Sequence, residues 1–403
     1  MNSESVAFTL QDLRSDPNPL ASHYSRFRVA ERLLLTGHSH QAWPDRGFDG
    51  QQRAWNDAAD FVDDKWERAA IEADRVRAGY RRLLDDPSGL YSLAANTFEL
   101  LVRLLSALPI RQRPKLVTTD SEFHSLRRFL ARLEEEGVEI ERVPAHPATD
   151  VGQRLADAID DRTAAALTST VFFNSAQIAG GLELAAKACR RHGTALVLDA
   201  YHQLNVVPAS LQQDDLEDAF VVGAGYKYCQ LGEGVGFLRF PADCQLRPIA
   251  TGWFAEFGEL THRHDLNEVL YHAGDERFAG ATYDPTSHYR AAEVFEFFVD
   301  QQLDPNLLRA VSQHQVGYLS RLFDELDLDP SVVDRDRGVA LEEIGGFLAL
   351  RARHAATIWA SLKELGVATD QRAEILRLGP APYLSDSQLE RAMTILGRVV
   401  RSL

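Results

Sequence analysis

The sequence predicts an α/β fold with a large, mostly parallel sheet covered by helices on both faces, joined to a small α+β domain. Short apolar runs alternate with helical patterns between about residues 85 and 240, which is the order of repeated βαβ units. From Tyr289 onward the pattern changes to long helical stretches and one smaller mixed segment. With 403 residues, of which 45% are hydrophobic, the chain has ample core for two or three domains.

Apolar runs of strand length predict the large sheet. Helical periodicity predicts two helices between them, at 125–136 and 182–192, the second ended by Gly193. Continuous apolar runs are typical of parallel strands that are buried on both faces. The predicted strands are 115–119, 164–168, 195–198, 219–222 and 236–240.

The C-terminal part predicts the small domain. Long helices are expected at 291–303 and 307–326, followed by mixed structure around 346–350. A final helix is expected to open with a capping box between Ser387 and Glu390. We divide the chain into a large domain, 49–287, and a small domain that combines 1–48 with 288–403.

Charge and composition exclude several classes of partner. A net charge of −16 provides no basic face for nucleic acid or for an anionic membrane. No apolar run has transmembrane length, and the first five residues lack the pattern of a signal peptide, so we expect a cytoplasmic protein. Three cysteines without metal-ligand spacing are expected to be reduced thiols.

An acid and a lysine end two of the apolar runs. Asp199 ends the run at 195–198, and Lys227 follows the run at 219–222 between two tyrosines. A lysine amine and a buried carboxylate are what pyridoxal 5'-phosphate (PLP) needs, one to hold its aldehyde and one to keep its ring nitrogen protonated. The pair therefore predicts a PLP site at the carboxyl ends of the strands.

A helix start near residue 96 is a candidate for the cofactor's phosphate. Asn96 and Thr97 precede an apolar helical stretch, and backbone amides at a helix N-terminus bind anions. We expect Asn96 to cap this helix and Glu99 to complete a capping box. A plain helix cap without a ligand is the alternative.

The Asp-x-x-His motif from Asp199 to His202, followed by Tyr-Lys-Tyr around Lys227, resembles the fold-type-I PLP enzymes of aminotransferase class V, and in particular the kynureninase branch. The resemblance extends from about residue 33 to the C-terminus. It implies a homodimer whose active sites are shared between subunits and lie between the two domains.

The resemblance also implies roles for the residues around the cofactor. Phe123 corresponds to the aromatic residue that stacks on the cofactor ring, with His124 as the alternative. His202 is expected to reach the phosphate or the cofactor's edge, and Tyr226 to bond the phosphate and assist proton transfer. Kynureninases have a Phe-x-x-Asp pattern here, and Leu126 stands in place of that Asp.

Two later segments carry weaker motifs. Trp253 corresponds to a tryptophan that lines the cofactor and substrate site, and Thr282 to a residue that donates to the phosphate of the partner subunit. A buried aromatic residue and an ordinary turn are the alternatives.

Four residues are candidates for substrate binding. Arg377, before a proline-rich turn, is expected to hold the substrate α-carboxylate, because guanidinium binds carboxylate bidentately. Ser39 fits the family loop that lines the substrate side, whereas His38 and His40 depart from its sequence. No carboxylate-rich motif accompanies these histidines, so we expect no metal.

The expected activity is kynureninase-like hydrolysis of the Cβ–Cγ bond of kynurenine or a related β-substituted amino acid. A PLP-dependent C–S lyase and an aminotransferase are the alternatives within enzymes. A cysteine desulfurase is disfavoured, because no cysteine follows Cys244. A PLP-binding regulator is disfavoured by the acidic chain, which has no basic DNA-binding segment.

Overall fold

The computed structural model describes residues 8–257 and 267–403. The predicted absence of a signal peptide concerns the first residues, which lie outside this range. The N-terminal part contains, in chain order, α1 (Leu10–Arg14), β1 (Leu33–Leu34), α2 (Arg46–Phe61), α3 (Lys65–Leu83), β2 (Leu90–Ala94), α4 (Thr97–Ala107), β3 (Lys115–Thr119), α5 (His124–Glu135), β4 (Glu139–Val143), α6 (Val151–Ala158), β5 (Thr163–Ser169), α7 (Leu182–His192), β6 (Ala195–Asp199), β7 (Phe220–Ala224) and β8 (Gly236–Phe240).

The C-terminal part begins with two long helices and continues with short strands. Its elements are α8 (Thr286–Asp300), α9 (Pro305–Glu325), β9 (Val333–Arg335), β10 (Leu348–Ala352), α10 (Ala355–Glu364), β11 (Val367–Ala368), β12 (Asp370–Arg372), β13 (Ile375–Leu378) and α11 (Asp386–Arg401). None of the helices within the described residues is long and apolar enough to cross a membrane.

The large sheet has the strand order β2-β8-β7-β6-β5-β3-β4. Strands β3 to β7 pair in parallel, and β8 is antiparallel to both of its neighbours. The predicted mostly parallel α/β sheet is therefore confirmed. Because of these directions, the carboxyl ends of β2, β3, β5, β6 and β7 and the start of β8 share one edge.

Helices cover both faces of this sheet, which explains why its central strands are continuously apolar. Successive strand residues point to opposite faces, so each strand contributes to two cores. Side chains of one face pack with α4 and α5; they include Leu116, Ala165, Val197 and Val222. Side chains of the other face pack with α3, α6 and α7; they include Val117, Ala166, Leu198 and Val221.

Most predicted elements agree with the structure to within a few residues, but some elements were missed, among them α2, α3 and α6, and the predicted start of the final helix is wrong. The sequence analysis missed β2 and β4. The predicted capping box between Ser387 and Glu390 is wrong, because the final helix begins at Asp386. Ser385 caps it instead, and its box partner is Gln388.

A second sheet of order β12-β13-β10-β9 is antiparallel throughout. Strand β1 pairs in parallel with β11, which joins the N-terminal segment to this C-terminal part. The predicted domain boundaries at 48/49 and 287/288 fall inside α2 and α8. The division into these two domains stays a prediction.

Candidate active site

Five side chains with functional chemistry meet at the carboxyl edge of the large sheet. Asp199 ends β6, and Lys227 follows β7, the strand paired with β6. Ser169 ends β5 directly opposite Asp199. Phe123 precedes α5 after β3, and His202 lies in the turn after β6. Open α/β sheets bind their ligands at this edge.

The ε-amine of Lys227 is buried among aromatic rings. Its Nζ lies 2.9 Å from Nε2 of His202. The ring centroids of Tyr201 and Phe123 lie 4.6 Å and 5.4 Å from the same atom. Burial lowers the pKa of Lys227, and the nearby Asp199 carboxylate opposes this shift. The site therefore favours the neutral amine that a Schiff base requires.

Asp199 is also removed from solvent at the end of its strand. Its Oδ1 accepts a hydrogen bond from the backbone N–H of Tyr201, at 3.0 Å. Burial raises the pKa of Asp199, while that hydrogen bond and the charge of Lys227 lower it. Within the described part of the chain this carboxylate accepts one hydrogen bond, so it is suited to pair with a cationic ligand atom.

His202 occupies the position between Lys227 and the N-terminal loop. Its ring is buried, and burial is the main cause of a pKa well below the ordinary value. The positive charges of Lys227 and Arg377 lower that pKa further, and a hydrogen bond to the backbone of His38 opposes them. A neutral imidazole in this position can accept a proton or a hydrogen bond from the lysine amine through Nε2.

Glu122 is a buried acid that the sequence analysis did not select. Thr119 Oγ1 donates to its Oε1 at 2.6 Å, and Ser169 Oγ donates to its Oε2 at 2.7 Å. Burial raises the pKa of Glu122 to about 7, and the Asp199 charge contributes to the rise. Its position directly after a buried strand was a signal that could have identified it.

The helix start at Asn96 forms as predicted, but the predicted capping box does not. Asn96 Oδ1 accepts a hydrogen bond from the backbone N–H of Glu99, at 3.0 Å. The Glu99 side chain bonds the Asn96 side-chain amide at 3.0 Å, so it does not complete a box with the backbone. A Cβ on Gly236 would lie 2.8 Å from Asn96, which brings the start of β8 against Asn96 and Thr97.

Arg377 faces the site from β13, and two acceptors already hold its guanidinium. Its Nη2 and Nε donate to Oδ1 of Asp370 at 2.6 Å and 3.2 Å. Its Nη1 donates to the carbonyl of Phe173 at 2.8 Å. Arg372 donates to the same Asp370 oxygen at 3.1 Å. The sequence analysis identified Arg377 and missed both Asp370 and Arg372.

The two histidines of the N-terminal loop have different environments. His38 is fully buried, and within the described structure neither of its ring nitrogens has a hydrogen-bond partner. Its ring lies 4.8 Å from Phe347, and burial together with the Arg377 charge lowers its pKa well below the ordinary value. His40 is exposed and stacks on Tyr226 at 4.9 Å. Ser39 Oγ lies 3.2 Å from Nδ1 of His40.

Trp253, Thr282 and His124 make contacts with residues other than Lys227. Trp253 Nε1 donates to Thr282 Oγ1 at 3.3 Å, so these two residues are brought to each other. They border a 490 Å³ pocket together with the aromatic rings of Trp66 and Phe254. His124 is exposed and contacts the ring of Phe173, whereas the ring of Phe123 lies 5.4 Å from Lys227 Nζ.

Leu126, which stands where kynureninases have an acid, is buried. It packs with Leu130 of the same helix in the core beneath the large sheet. An aspartate at this position would be surrounded by apolar side chains, so this face of α5 is used for packing.

The residues at the edge fit the requirements of PLP. Lys227 supplies a buried amine, Asp199 a buried carboxylate and Phe123 a ring beside the amine. The unpaired ring nitrogens of His38 provide a further sign, because buried polar atoms without partners are costly unless a ligand engages them. Asn96 and Thr97 would hold the phosphate, and Asp199 the ring nitrogen.

Comparisons with known proteins agree with this reading of the fold. No protein-family model matches the sequence. The kynureninase of Geobacillus thermodenitrificans (strain NG80-2) is 25% identical over 253 residues, which are 60% of this chain and 56% of that enzyme. The chain thus matches little more than half the length of this curated relative.

Solved structures match over nearly the whole chain. A C-DES mutant with glycine covalently linked to its PLP cofactor has a TM-score of 0.81 at 15% identity, covering 93% of this chain and 98% of that one. The apo cysteine desulfurase of Thermococcus onnurineus NA1 has a TM-score of 0.79 at 15% identity, covering 99% and 100%. The Escherichia coli cysteine desulfurase CsdA has a TM-score of 0.77 at 16% identity, covering 96% and 99%.

The chain therefore has the fold of the PLP-dependent enzymes of fold type I. The resemblance to their class V branch, indicated by the Asp-x-x-His and Tyr-Lys-Tyr motifs, is confirmed.

Proposed function

We propose that this protein is a PLP-dependent enzyme that acts on an amino acid. The observation that carries the proposal is the buried Lys227 amine next to His202, at the strand edge that also carries Asp199. Burying a lysine amine lowers the stability of the folded protein, because burial disfavours the charged form of the amine. A functional role would explain why the lysine is buried here. The buried Asp199 carboxylate at the same strand edge supports a role for Lys227 and Asp199 in holding one cofactor.

When bound, PLP supplies an electron sink for the bond that breaks at the substrate Cα. Asp199 would keep a proton on the ring nitrogen, because a carboxylate in a poorly solvated site stabilises the positive charge beside it. Lys227 would hold the aldehyde, and its amine would later take and return the proton at Cα. Tyr226 would assist proton transfer near the same amine.

The substrate would be oriented from the opposite side of the cleft. Arg377 would hold the α-carboxylate, since two chain acceptors fix its guanidinium. His38, with its two unpaired ring nitrogens, is available to bond a polar group of the substrate. The exposed His40 would border the entrance, next to Tyr226.

For the reaction we place kynureninase-like hydrolysis of the Cβ–Cγ bond first. Its support is the identity with the Geobacillus kynureninase. The Asp-x-x-His motif and the phenylalanine at 123 add to this support. Kynurenine or a related β-substituted amino acid would be the substrate.

A C–S lyase is the second candidate. A solved structure of the cystine C–S lyase C-DES, in complex with its product cysteine persulfide, has a TM-score of 0.79 at 15% identity, covering 92% of this chain and 98% of that one. A persulfide formed on the protein, as opposed to a released one, is disfavoured. Cys189 and Cys229 are buried and Cys244 is half-buried; burial raises the pKa of each thiol, and the thiolate is the nucleophile.

We further propose a homodimer with shared active sites. Trp253 and Phe257 are 44% and 49% exposed, beside the 490 Å³ pocket that Thr282 borders. Exposed aromatic residues around an apolar pocket are typical of protein interfaces. Light scattering should give the mass of a dimer, and Phe257→Glu should shift the mass toward the monomer. A monomer with full cofactor occupancy would contradict shared sites.

Cytoplasmic location and the lack of nucleic-acid and membrane partners also remain proposals. They rest on the net charge of −16 and on the lack of an apolar run of transmembrane length in the sequence.

The reaction is tested by incubating the PLP-loaded protein with L-kynurenine and measuring anthranilate and alanine. Parallel incubations with L-cystine and with S-alkylcysteines measure pyruvate, and pyruvate formed from L-alanine in the presence of a 2-oxo acid that accepts the amino group tests transamination. Anthranilate release that Lys227→Ala abolishes supports the hydrolase. Pyruvate without anthranilate supports the lyase, and no product from any substrate would contradict the proposed enzyme.

A further inference from the structure

Arg372 shares its acidic partner with Arg377. Asp370 pairs directly with Arg377 across β12 and β13, and Arg372 lies two residues beyond Asp370 on the same strand. Side chains two apart in a strand point to the same face, so all three residues lie on one face of the small sheet. On this face the Arg377 guanidinium lies 5.6 Å from the ring of Phe347, which also contacts the rings of His38 and His202.

Among the described residues, Asp370 is the one acid that forms an ion pair with either arginine, so the shared carboxylate leaves this group with one uncompensated positive charge. Both guanidinium groups donate to Oδ1 of Asp370. One carboxylate can balance one of the two cations, and the remaining charge lies in a protein whose net charge is −16. A buried or half-buried cation without an acid of its own is suited to an anionic ligand.

Arg377 alone presents few free donors to such a ligand. Its Nε and Nη2 already bond Asp370, and its Nη1 bonds the Phe173 carbonyl. Its side chain is 3% exposed, whereas that of Arg372 is 39% exposed. Arg372 therefore lies on the solvent side of Arg377 and keeps more donors available.

The charge of Arg372 also influences other groups of the site. Its positive charge contributes to the lowered pKa values of Lys227 and His38, and it opposes the rise that burial causes in the pKa of Tyr226. These groups belong to three separate segments of the chain.

We propose that Arg372 and Arg377 bind the substrate α-carboxylate together, with Arg372 supplying the donors on the solvent side. Asp370 fixes the positions of the two guanidinium groups relative to each other. This inference rests on the proposed function, because it concerns the amino-acid substrate of that site. It makes Arg372 a determinant of specificity for acids over their uncharged derivatives.

The test compares two ligands that differ in one group, L-alanine and L-alaninamide. Their binding to the PLP-loaded protein is followed by the change in cofactor absorbance, and the ratio of the two dissociation constants measures selectivity for the carboxylate. Arg372→Gln should weaken L-alanine binding about 10- to 100-fold, the effect of losing hydrogen bonds between charged groups. Binding of L-alaninamide should stay nearly unchanged.

Two further variants separate recognition from structure. Arg335→Gln removes another arginine–aspartate pair, with Asp324, from the opposite face of the same sheet, and should leave the selectivity ratio unchanged. Arg372→Lys keeps the charge without the planar fork and should give an intermediate ratio, even if Arg372→Gln folds poorly.

The inference is overturned if Arg372→Gln or Arg372→Lys keeps the wild-type ratio, or if either weakens both ligands equally. If the wild-type protein binds no PLP, or if neither ligand changes its absorbance, the proposed function itself fails. The two failures are therefore distinguishable.

Discussion

Nζ of Lys227 lies 2.9 Å from Nε2 of His202, and both side chains are buried. Burial lowers the pKa of both groups, so each favours its neutral form. A neutral imidazole can accept a hydrogen bond from the lysine amine at Nε2. This contact orients the lysine amine and places a hydrogen-bond acceptor beside it.

His202→Ala is expected to lower kcat on the amino-acid substrate by about 10- to 100-fold, because the amine loses the group that orients it. Covalent attachment of PLP to Lys227 should survive. His202→Gln, whose amide oxygen can accept the same bond, should recover part of the rate. His192→Ala, on the end of α7, is the control and should behave as wild type. Unchanged kcat in His202→Ala would contradict the role.

Asp199→Asn should bind PLP and yet turn over about 100- to 1,000-fold more slowly, because an amide cannot stabilise the protonated ring nitrogen. The comparison needs cofactor occupancy and kcat measured on the same preparation. Near-normal turnover at full occupancy would mean that Asp199 has a structural role only.

Glu122 should make the free energy of unfolding fall as the pH rises. Its pKa is raised from 4.5 to about 7 in the folded protein, so it stays protonated where the unfolded chain ionises. The contribution of protonated Glu122 to the free energy of unfolding is therefore fully present below pH 4.5, and it is lost as the pH rises through 7. The loss amounts to about 3 kcal/mol between these limits.

Denaturant unfolding of the cofactor-free protein checks this prediction. Between pH 4.5 and 8, the wild type should lose about 3 kcal/mol more free energy of unfolding than Glu122→Gln, which cannot ionise. If the free energies of unfolding of the two proteins changed with pH in parallel, the pKa of Glu122 would be the same in the folded and unfolded states, and the prediction would fail.

His38 and His40 should set substrate preference and leave the cofactor unaffected. His38→Asn removes the buried, unpaired ring, and His40→Leu removes the ring stacked on Tyr226. If they contact the substrate side chain, each change should alter the ratio of kcat/KM between L-kynurenine and an S-alkylcysteine by about 1–3 kcal/mol. The absorbance of bound PLP should stay constant. Equal loss on both substrates would make the histidines structural.

The central strands could be predicted from the sequence because burial on both faces makes them continuously apolar. The strand 236–240 and the helix 182–192 match the structure residue by residue. Strand β4 was missed because only two of its residues, Ile140 and Val143, are buried at this edge of the sheet. An edge strand with charged residues resembles a loop in sequence.

Asp199 and Lys227 could be predicted from the sequence, because the chemistry of each role requires one residue type. Arg372, Asp370 and Glu122 could not be identified in that way. Their importance comes from the pairing of β12 with β13 and from the approach of Ser169 to Glu122, which are tertiary contacts. The contact between Trp253 and Thr282 likewise depends on how the chain folds.

Covalent attachment of PLP to Lys227 is the most direct test of the whole account. The wild-type protein, mixed with PLP and reduced with borohydride, should carry the cofactor on the peptide that contains Lys227, as read by mass spectrometry. Lys227→Ala should lose both the label and the visible absorbance of the bound cofactor. Labelling of a different residue in the wild type, or unchanged absorbance in Lys227→Ala, would contradict the account.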